Sequence, residues 1–272
     1  MFSLRTACFP PTAEAFREAL ELSVGELLQS TRGPRVKVEG LNYPNLSAIR
    51  IALDGSSVDD RLPPPPEIPQ GKIEPALETD HFEISARPLH IQCAPVQFHC
   101  EAQNVKIGQA RDQSGNILLV LQNAGCGKFE LSMAMADLER LVRSAVKELA
   151  SKQGIVLEDL RLKLKARSER ALDAELRVRA RKLFLNTQIR LTASLEIDDQ
   201  FNARLCRLDC AGEGTLGTLA CGFLGPHLQR LNEREFSLLT LPLSEFKLRD
   251  VRIAVGEQVQ AKAEFGSAGL TA

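Results

Sequence analysis

The sequence predicts an α+β protein, internally duplicated, in which long antiparallel amphipathic strands wrap amphipathic helices. Three observations carry this. Apolar residues recur at helical spacing in three short segments, they alternate with polar residues over several long ones, and one stretch matches another at a fixed offset. At 272 residues the chain can form one large core or two packed halves.

The first helix is expected from Thr12 to Ser30. Phe16, Ala19, Leu20, Val24, Leu27 and Leu28 share a face behind a Pro-Pro-Thr start, and Gly33-Pro34 stops the pattern. The second, Met135 to Gln153, is more regular: Leu138, Leu141, Val142, Ala145, Val146 and Leu149 follow helical spacing, and Gly154 terminates them. This face should be buried, so Leu141→Asp is expected to be severely destabilising. A third helix, Leu219 to Asn232, carries Phe223, Leu224, Leu228 and Leu231 but is weakened by Gly222, Gly225 and Pro226.

Between the helices the period becomes two. Leu172, Ala174, Leu176, Val178 and Ala180 alternate with Asp173, Glu175, Arg177, Arg179 and Arg181, and Ile189, Leu191, Ala193, Leu195 and Ile197 do the same in the next stretch. Strands of that length with one polar face belong to antiparallel sheets covered on one side. Similar alternation marks Ile49 to Leu53, Val96 to Ala102 and Val259 to Phe265, while the prolines of Leu62 to Pro69 read as an extended linker.

At an ungapped offset of 87 (199 minus 112), Asp112 to Gly127 matches Asp199 to Gly214 at seven positions, including Ala124/Ala211, Gly125/Gly212 and Gly127/Gly214. Both copies read as turn, strand, Ala-Gly-x-Gly and helix. Two halves are therefore expected, residues 1–134 and 135–272, with the linker at 62–69 inside the first.

The 34 Lys+Arg and 35 Asp+Glu nearly cancel, so a charged partner must be met by a local patch. With no Trp and one Tyr, Tyr43, the chain lacks the stacking platforms of single-stranded nucleic-acid sites. Seven Cys without CxxC spacing suggest reduced core thiols rather than a disulfide framework. No leader-like start and no apolar run long enough to span a membrane is present, which favours a cytoplasmic or membrane-peripheral location.

Gly212-Glu213-Gly214-Thr215-Leu216-Gly217, with Glu235 further on, spells a dinucleotide fingerprint and opens an oxidoreductase reading. The preceding strand is half polar (Arg204, Arg207, Asp209), and the matching segment has Glu130 at the third glycine position. A tight strand-to-helix turn is the competing explanation. His81, His90, His99 and His227 with Cys93 and Cys100 invite a metal site, but strand alternation turns His90 away from Cys93 and His99 away from Cys100. The carboxylate pairs Asp59-Asp60, Glu158-Asp159 and Asp198-Asp199 read as turn or edge residues. No nucleophile elbow, P-loop or zinc-protease helix occurs, so no catalytic residue, metal or cofactor is expected.

From Arg161 to Arg190 ten basic residues face three acids, largely on the outward faces of two neighbouring strands. Lys163, Lys165, Arg177, Arg179 and Arg181 are the candidates for contact with an anionic membrane surface. A solvated face that resists edge pairing is the competing explanation.

Helix, several amphipathic strands, helix, and the same again resembles the TULIP (BPI-like) lipid-binding superfamily, in particular its bacterial LmeA-like phospholipid-binding family. The likeness is carried by Phe129 to Gly266: the Leu131 to Leu138 approach to a helix, the alternating strands, Pro226-His227-Leu228, and Leu241-Pro242-Leu243 to Val259-Gln260-Ala261. The resemblance implies strongly curved sheets around helices and an apolar groove for acyl chains. In this chain Leu138, Leu141, Val142, Ala145, Val146, Leu149, Leu176, Val178, Leu191 and Leu195 would line it. The expected function is non-catalytic binding or transfer of lipid or another apolar molecule, without nucleic acid. A scaffold with a filled core and the oxidoreductase are the alternatives.

Overall fold

The computed structural model describes residues 1–28, 34–58, 69–92, 94–152, 154–182, 185–232, 235–238 and 247–266. The expected linker at 62–68, Asp59-Asp60, Cys93 and Leu241 to Leu243 lie outside them. The chain is α+β, and its contacts divide it into two units. Met1–Ser132 and the ends of a C-terminal hairpin form the first; Met133–Leu238 and the middle of that hairpin, Val251–Ala261, form the second.

The first unit begins with β1 (Phe2–Leu4) and α1 (Ala13–Leu27), followed by β2 (Arg35–Glu39), β3 (Asn45–Ala52), β4 (Ser57–Val58), β5 (Gln70–Ile91), β6 (Ala94–Arg111), β7 (Ile117–Asn123) and β8 (Cys126–Ala134). Thr12 caps α1 by accepting a hydrogen bond from Ala15 N at 3.2 Å. Phe16, Leu20 and Val24 then enter one core with Leu4, Val36, Ile49, Ile51, Leu77, Val105, Ile107 and Leu119. The alternation expected at Val96 to Ala102 changes phase at Asn104, whose left-handed backbone (φ 53°) lets Ala102, Val105 and Ile107 share that core.

The sheet is mixed, which corrects the expectation of purely antiparallel strands. β3 pairs with β5 in parallel from Asn45↔Glu78 to Ala52↔Ser85, and β4 continues beside the same 22-residue strand at Ser57↔His90. One long strand thus offers its edge to two shorter ones in succession. The order is β14-β15-β8-β6-β5-β3-β2, with β7 also on β6 and β1 on β7; β14 is Lys247–Val255 and β15 Gln258–Gly266.

The second unit contains α2 (Met135–Ser151), β9 (Val156–Ser168), β10 (Ala171–Lys182), β11 (Leu185–Ile197), β12 (Asn202–Glu213), α3 (Gly214–Leu231) and β13 (Glu235–Ser237). Its five strands are antiparallel in the order β13-β12-β11-β10-β9. α2 ends two residues before the expected Gln153, and Gly154 takes the left-handed conformation (φ 65°) that closes it. The helix lies along β9 and satisfies backbone groups there. Glu139 accepts from Leu162 N at 2.9 Å, and Arg143 donates to Leu160 O at 2.6 Å.

No residue of α2 is buried, so the expected fully buried face is only half-buried, Leu141 included. α3 starts five residues before the expected Leu219 despite its glycines and Pro226. Its first turns are held to β12 by covalent and backbone contacts: Cys210 and Cys221 form a disulfide, and Gly212 and Gly217 touch backbone to backbone. The disulfide corrects the expectation of seven reduced thiols; Cys8, Cys100, Cys126 and Cys206 are free.

The matched segments also differ from expectation. Ala124-Gly125-Cys126-Gly127 leads into strand β8, whereas Ala211 to Gly214 ends β12 and opens α3. The equivalent turns are those of Asp112 and Asp198, an offset of 86 (198 minus 112) rather than 87.

Candidate functional site

In the first unit α1 does not fill the space beneath it. A cavity of about 340 Å³ lies between Phe16, Leu20, Val24 and Leu28 on the helix side and Ile49, Ile51, Leu53, Phe82, Ile84, Val105, Ile107, Leu119 and Leu121 on the strands. Met1 and Phe2 complete a lining of fifteen apolar side chains. An aromatic cluster continues from Phe16. Phe16 is fully buried beside the cavity, its ring 6.1 Å from that of Phe9, and Tyr43 stacks on Phe9 while donating to Pro10 O at 2.6 Å. Burial pushes the Tyr43 hydroxyl up to about 12.

Such a lining offers no acid, base or nucleophile. It can accept hydrocarbon, as apolar clefts do. The sequence marked Phe16, Leu20, Val24, Ile49, Ile51 and Leu53 as apolar faces but held no signal that helix and strands leave a gap between them.

The groove expected around α2 is placed differently. Val142 and Val146 pack with Leu176, Val178, Leu160 and Ala180. Leu191 stands opposite Leu176, and Leu195 opposite Leu172, on the same sheet face. Leu138 and Leu141 are half-buried, whereas Ala145 is exposed and Leu149 is 65% exposed. Part of the expected set is thus brought together, without Ala145 and Leu149.

The opposite face of that sheet holds the basic candidates. Arg161, Arg177 and Arg190 occupy directly paired positions on β9, β10 and β11. In register Lys163 stands opposite Glu175, Lys165 opposite Asp173 and Arg179 opposite Asp159. Arg181 lies 3.7 Å from Glu158. Arg177 bonds Glu175.

Gly212 to Gly217 runs from the end of β12 into α3, and β12 is antiparallel to both its neighbours, to β11 beside Gly212 and to β13 at Asn202 to Arg204. A dinucleotide fingerprint needs a parallel β-α-β surround. Here the glycines serve a close approach: a Cβ on Gly212 would lie 2.1 Å from Gly217 O, and Gly214 has φ 73°.

Two of the four histidines, His81 and His99, join charged rows on the first unit's sheet. His99 Nε2 is 3.2 Å from Glu101, which also meets Lys128 at 3.0 Å, and His81 Nε2 is 3.7 Å from Glu83. The Lys128 and His99 hydrogen bonds hold the Glu101 carboxyl below its usual range despite partial burial. Among the described residues no group of three or more His, Cys, Asp or Glu side chains is arranged to hold a metal ion. Among them, too, no helix is long and apolar enough to cross a membrane.

No known protein family, curated protein or solved structure matches the chain.

Proposed function

We propose that the protein binds an apolar ligand, an acyl chain of a lipid, in the cavity beneath α1, and does so without catalysis. The cavity itself carries the reading: about 340 Å³ lined by fifteen apolar side chains falls within the ordinary range of small-molecule sites, roughly 300 to 1,000 Å³. Each methylene moved there from water contributes about 0.8 kcal/mol. The sequence resemblance to the TULIP superfamily points the same way, although the cavity lies against α1 rather than α2.

Titration of the full chain with a fluorescent fatty acid, alongside native mass spectrometry, tests it. The chain has no Trp, so Val105→Trp both fills the cavity and adds a unique emitter. Saturable uptake by wild type and its loss in Val105→Trp, with a cooperative melt retained, is the expected result. A clean apo mass and no uptake by wild type would replace this reading with a filled scaffold.

A further inference from the structure

Three arginines stand side by side across the second unit's sheet. Register pairs Arg177 directly with Arg161 on one neighbour and with Arg190 on the other. Directly opposed Cβ atoms are about 5 Å apart, and like charges so placed repel and lower stability. A solvated face that merely discourages edge pairing needs charges on its edge strand, β9; it does not need the same sign repeated on the two interior strands β10 and β11.

The row is only partly neutralised. Arg161 meets Asp159 at 3.3 Å yet remains 74% exposed, and Arg177 meets Glu175 while 47% exposed. Arg190, Arg179, Lys163 and Lys165 are exposed and make no ion pair among the described residues. The other face of these strands is apolar along rows such as Leu162–Leu176–Leu191, so the cations are confined to one side. β9, β10 and β11 contain no aromatic residue, which removes base stacking as a second source of affinity.

We infer that this face docks on an anionic lipid bilayer, with the Arg161–Arg177–Arg190 row meeting lipid phosphates and carboxylates. The surface stands on its own geometry; only its purpose, delivery or collection of an acyl chain, rests on the proposed function. Guanidinium groups suit phosphate and carboxylate because each presents a planar fork of donors. A row on adjacent strands addresses several headgroups at once.

The test is flotation of the full chain with phosphatidylcholine vesicles, with and without about a third phosphatidylserine. Wild type should float with the anionic vesicles at low salt, stay down with neutral ones, and be released as salt rises. Arg161→Gln/Arg177→Gln/Arg190→Gln should weaken binding on the order of 100-fold, at about 1 kcal/mol per basic residue. The corresponding triple Lys variant should keep most of it. Arg35→Gln/Lys37→Gln/Lys147→Gln, exposed cations elsewhere, should bind as wild type.

The thermal midpoint of the Gln triple variant should equal or exceed that of wild type, because repulsion is removed. Fatty-acid uptake by that variant should be unchanged, so failure here and failure of the cavity reading give different results. No binding of wild type to anionic vesicles, equal binding by the Gln triple variant, or tighter row-dependent binding to an oligonucleotide than to vesicles would overturn the inference.

Discussion

Asp112 and Asp198 close the same turn in the two units. Each carboxylate accepts from the backbone N–H groups two and four residues on: Ser114 and Asn116 at 2.9 and 2.8 Å, Gln200 and Asn202 at 2.9 and 2.8 Å. Each also takes the side-chain amide of that same asparagine, at 3.3 and 3.1 Å. The residue before the asparagine is left-handed in both, Gly115 at φ 82° and Phe201 at φ 59°. The two sites differ in burial. Asp112 is 3% exposed and also receives the Ser3 hydroxyl at 3.0 Å, whereas Asp198 is exposed.

Removing the buried carboxylate strands its donors, so Asp112→Ala should cost about 1 to 3 kcal/mol, and Asp198→Ala clearly less because water replaces it. Burial alone would raise the Asp112 carboxyl, but the hydrogen bonds from Asn116, Ser3 and Ser114 outweigh it and hold it below the ordinary value. Hydrogen bonds from Asn202 lower Asp198 as well. A lowered folded pKa gives stability that is fully present above the unfolded value, near 4, and is lost as pH falls through the folded one. Thermal midpoints should therefore be flat from pH 7 to 5 and drop below about 4, less steeply in Asp112→Asn. Equal slopes in the two proteins would show that the turn does not couple to pH.

The two glycines of the apparent fingerprint should respond in a fixed order. Gly214→Ala meets open space and pays only for a left-handed backbone, roughly 1 to 2 kcal/mol. Gly212→Ala drives a methyl group into the Gly217 carbonyl and must move α3 off β12, so its urea midpoint should fall further. A larger loss at Gly214 than at Gly212 would mean that close approach is not why these residues are glycine.

Much of the second unit was legible because its strands obey one rule. Alternation from Leu172 to Ala180 and from Ile189 to Ile197 places apolar and charged faces as the register does, and Gly154 stops α2 where a left-handed residue is needed. The misses have physical causes. The parallel pairing of β3 and β4 with β5 leaves no trace in local periodicity, because a strand edge carries no side-chain pattern. The first turn of α3 is missed because Gly212 to Gly217 read as a tight strand-to-helix turn, and the Cys210–Cys221 disulfide joins positions that spacing alone does not pair. The cavity was illegible for a different reason: Phe16, Leu20 and Val24 read identically whether a helix packs tightly or leaves room beside it.

Cysteine labelling separates the thiols by environment. Burial, aided by the neighbouring Glu101 charge, pushes Cys100 up to about 11, so at pH 8 it is almost entirely protonated and unreactive. Cys8 and Cys126 are exposed. Maleimide at pH 8 should modify these two in the native protein and reach Cys100 only after unfolding, with Cys210 and Cys221 protected until reduced. Native labelling of Cys100 as fast as that of Cys8 or Cys126 would contradict its half-buried, desolvated setting.

The two amphipathic helices should differ in what they contribute. Phe16 is fully exposed on unfolding and fully buried in the fold, so Phe16→Ala should cost about 3 to 5 kcal/mol. Leu141→Asp, on the half-buried face of α2, should cost less than a core substitution, contrary to the severe loss the helical pattern suggests. Phe16 also borders the α1 cavity, and its truncation enlarges that space. A medium-chain fatty acid should therefore restore stability to Phe16→Ala: at a free concentration about 100 times its dissociation constant, the gain is about 2.7 kcal/mol. Leu141→Asp lies in the other unit, leaves the cavity unchanged, and should be stabilised by the fatty acid only as much as wild type is. Thermal melts of the three proteins with and without ligand check both parts. A ligand that raises none of the midpoints, or raises Leu141→Asp more than Phe16→Ala, would place the apolar site somewhere other than beneath α1.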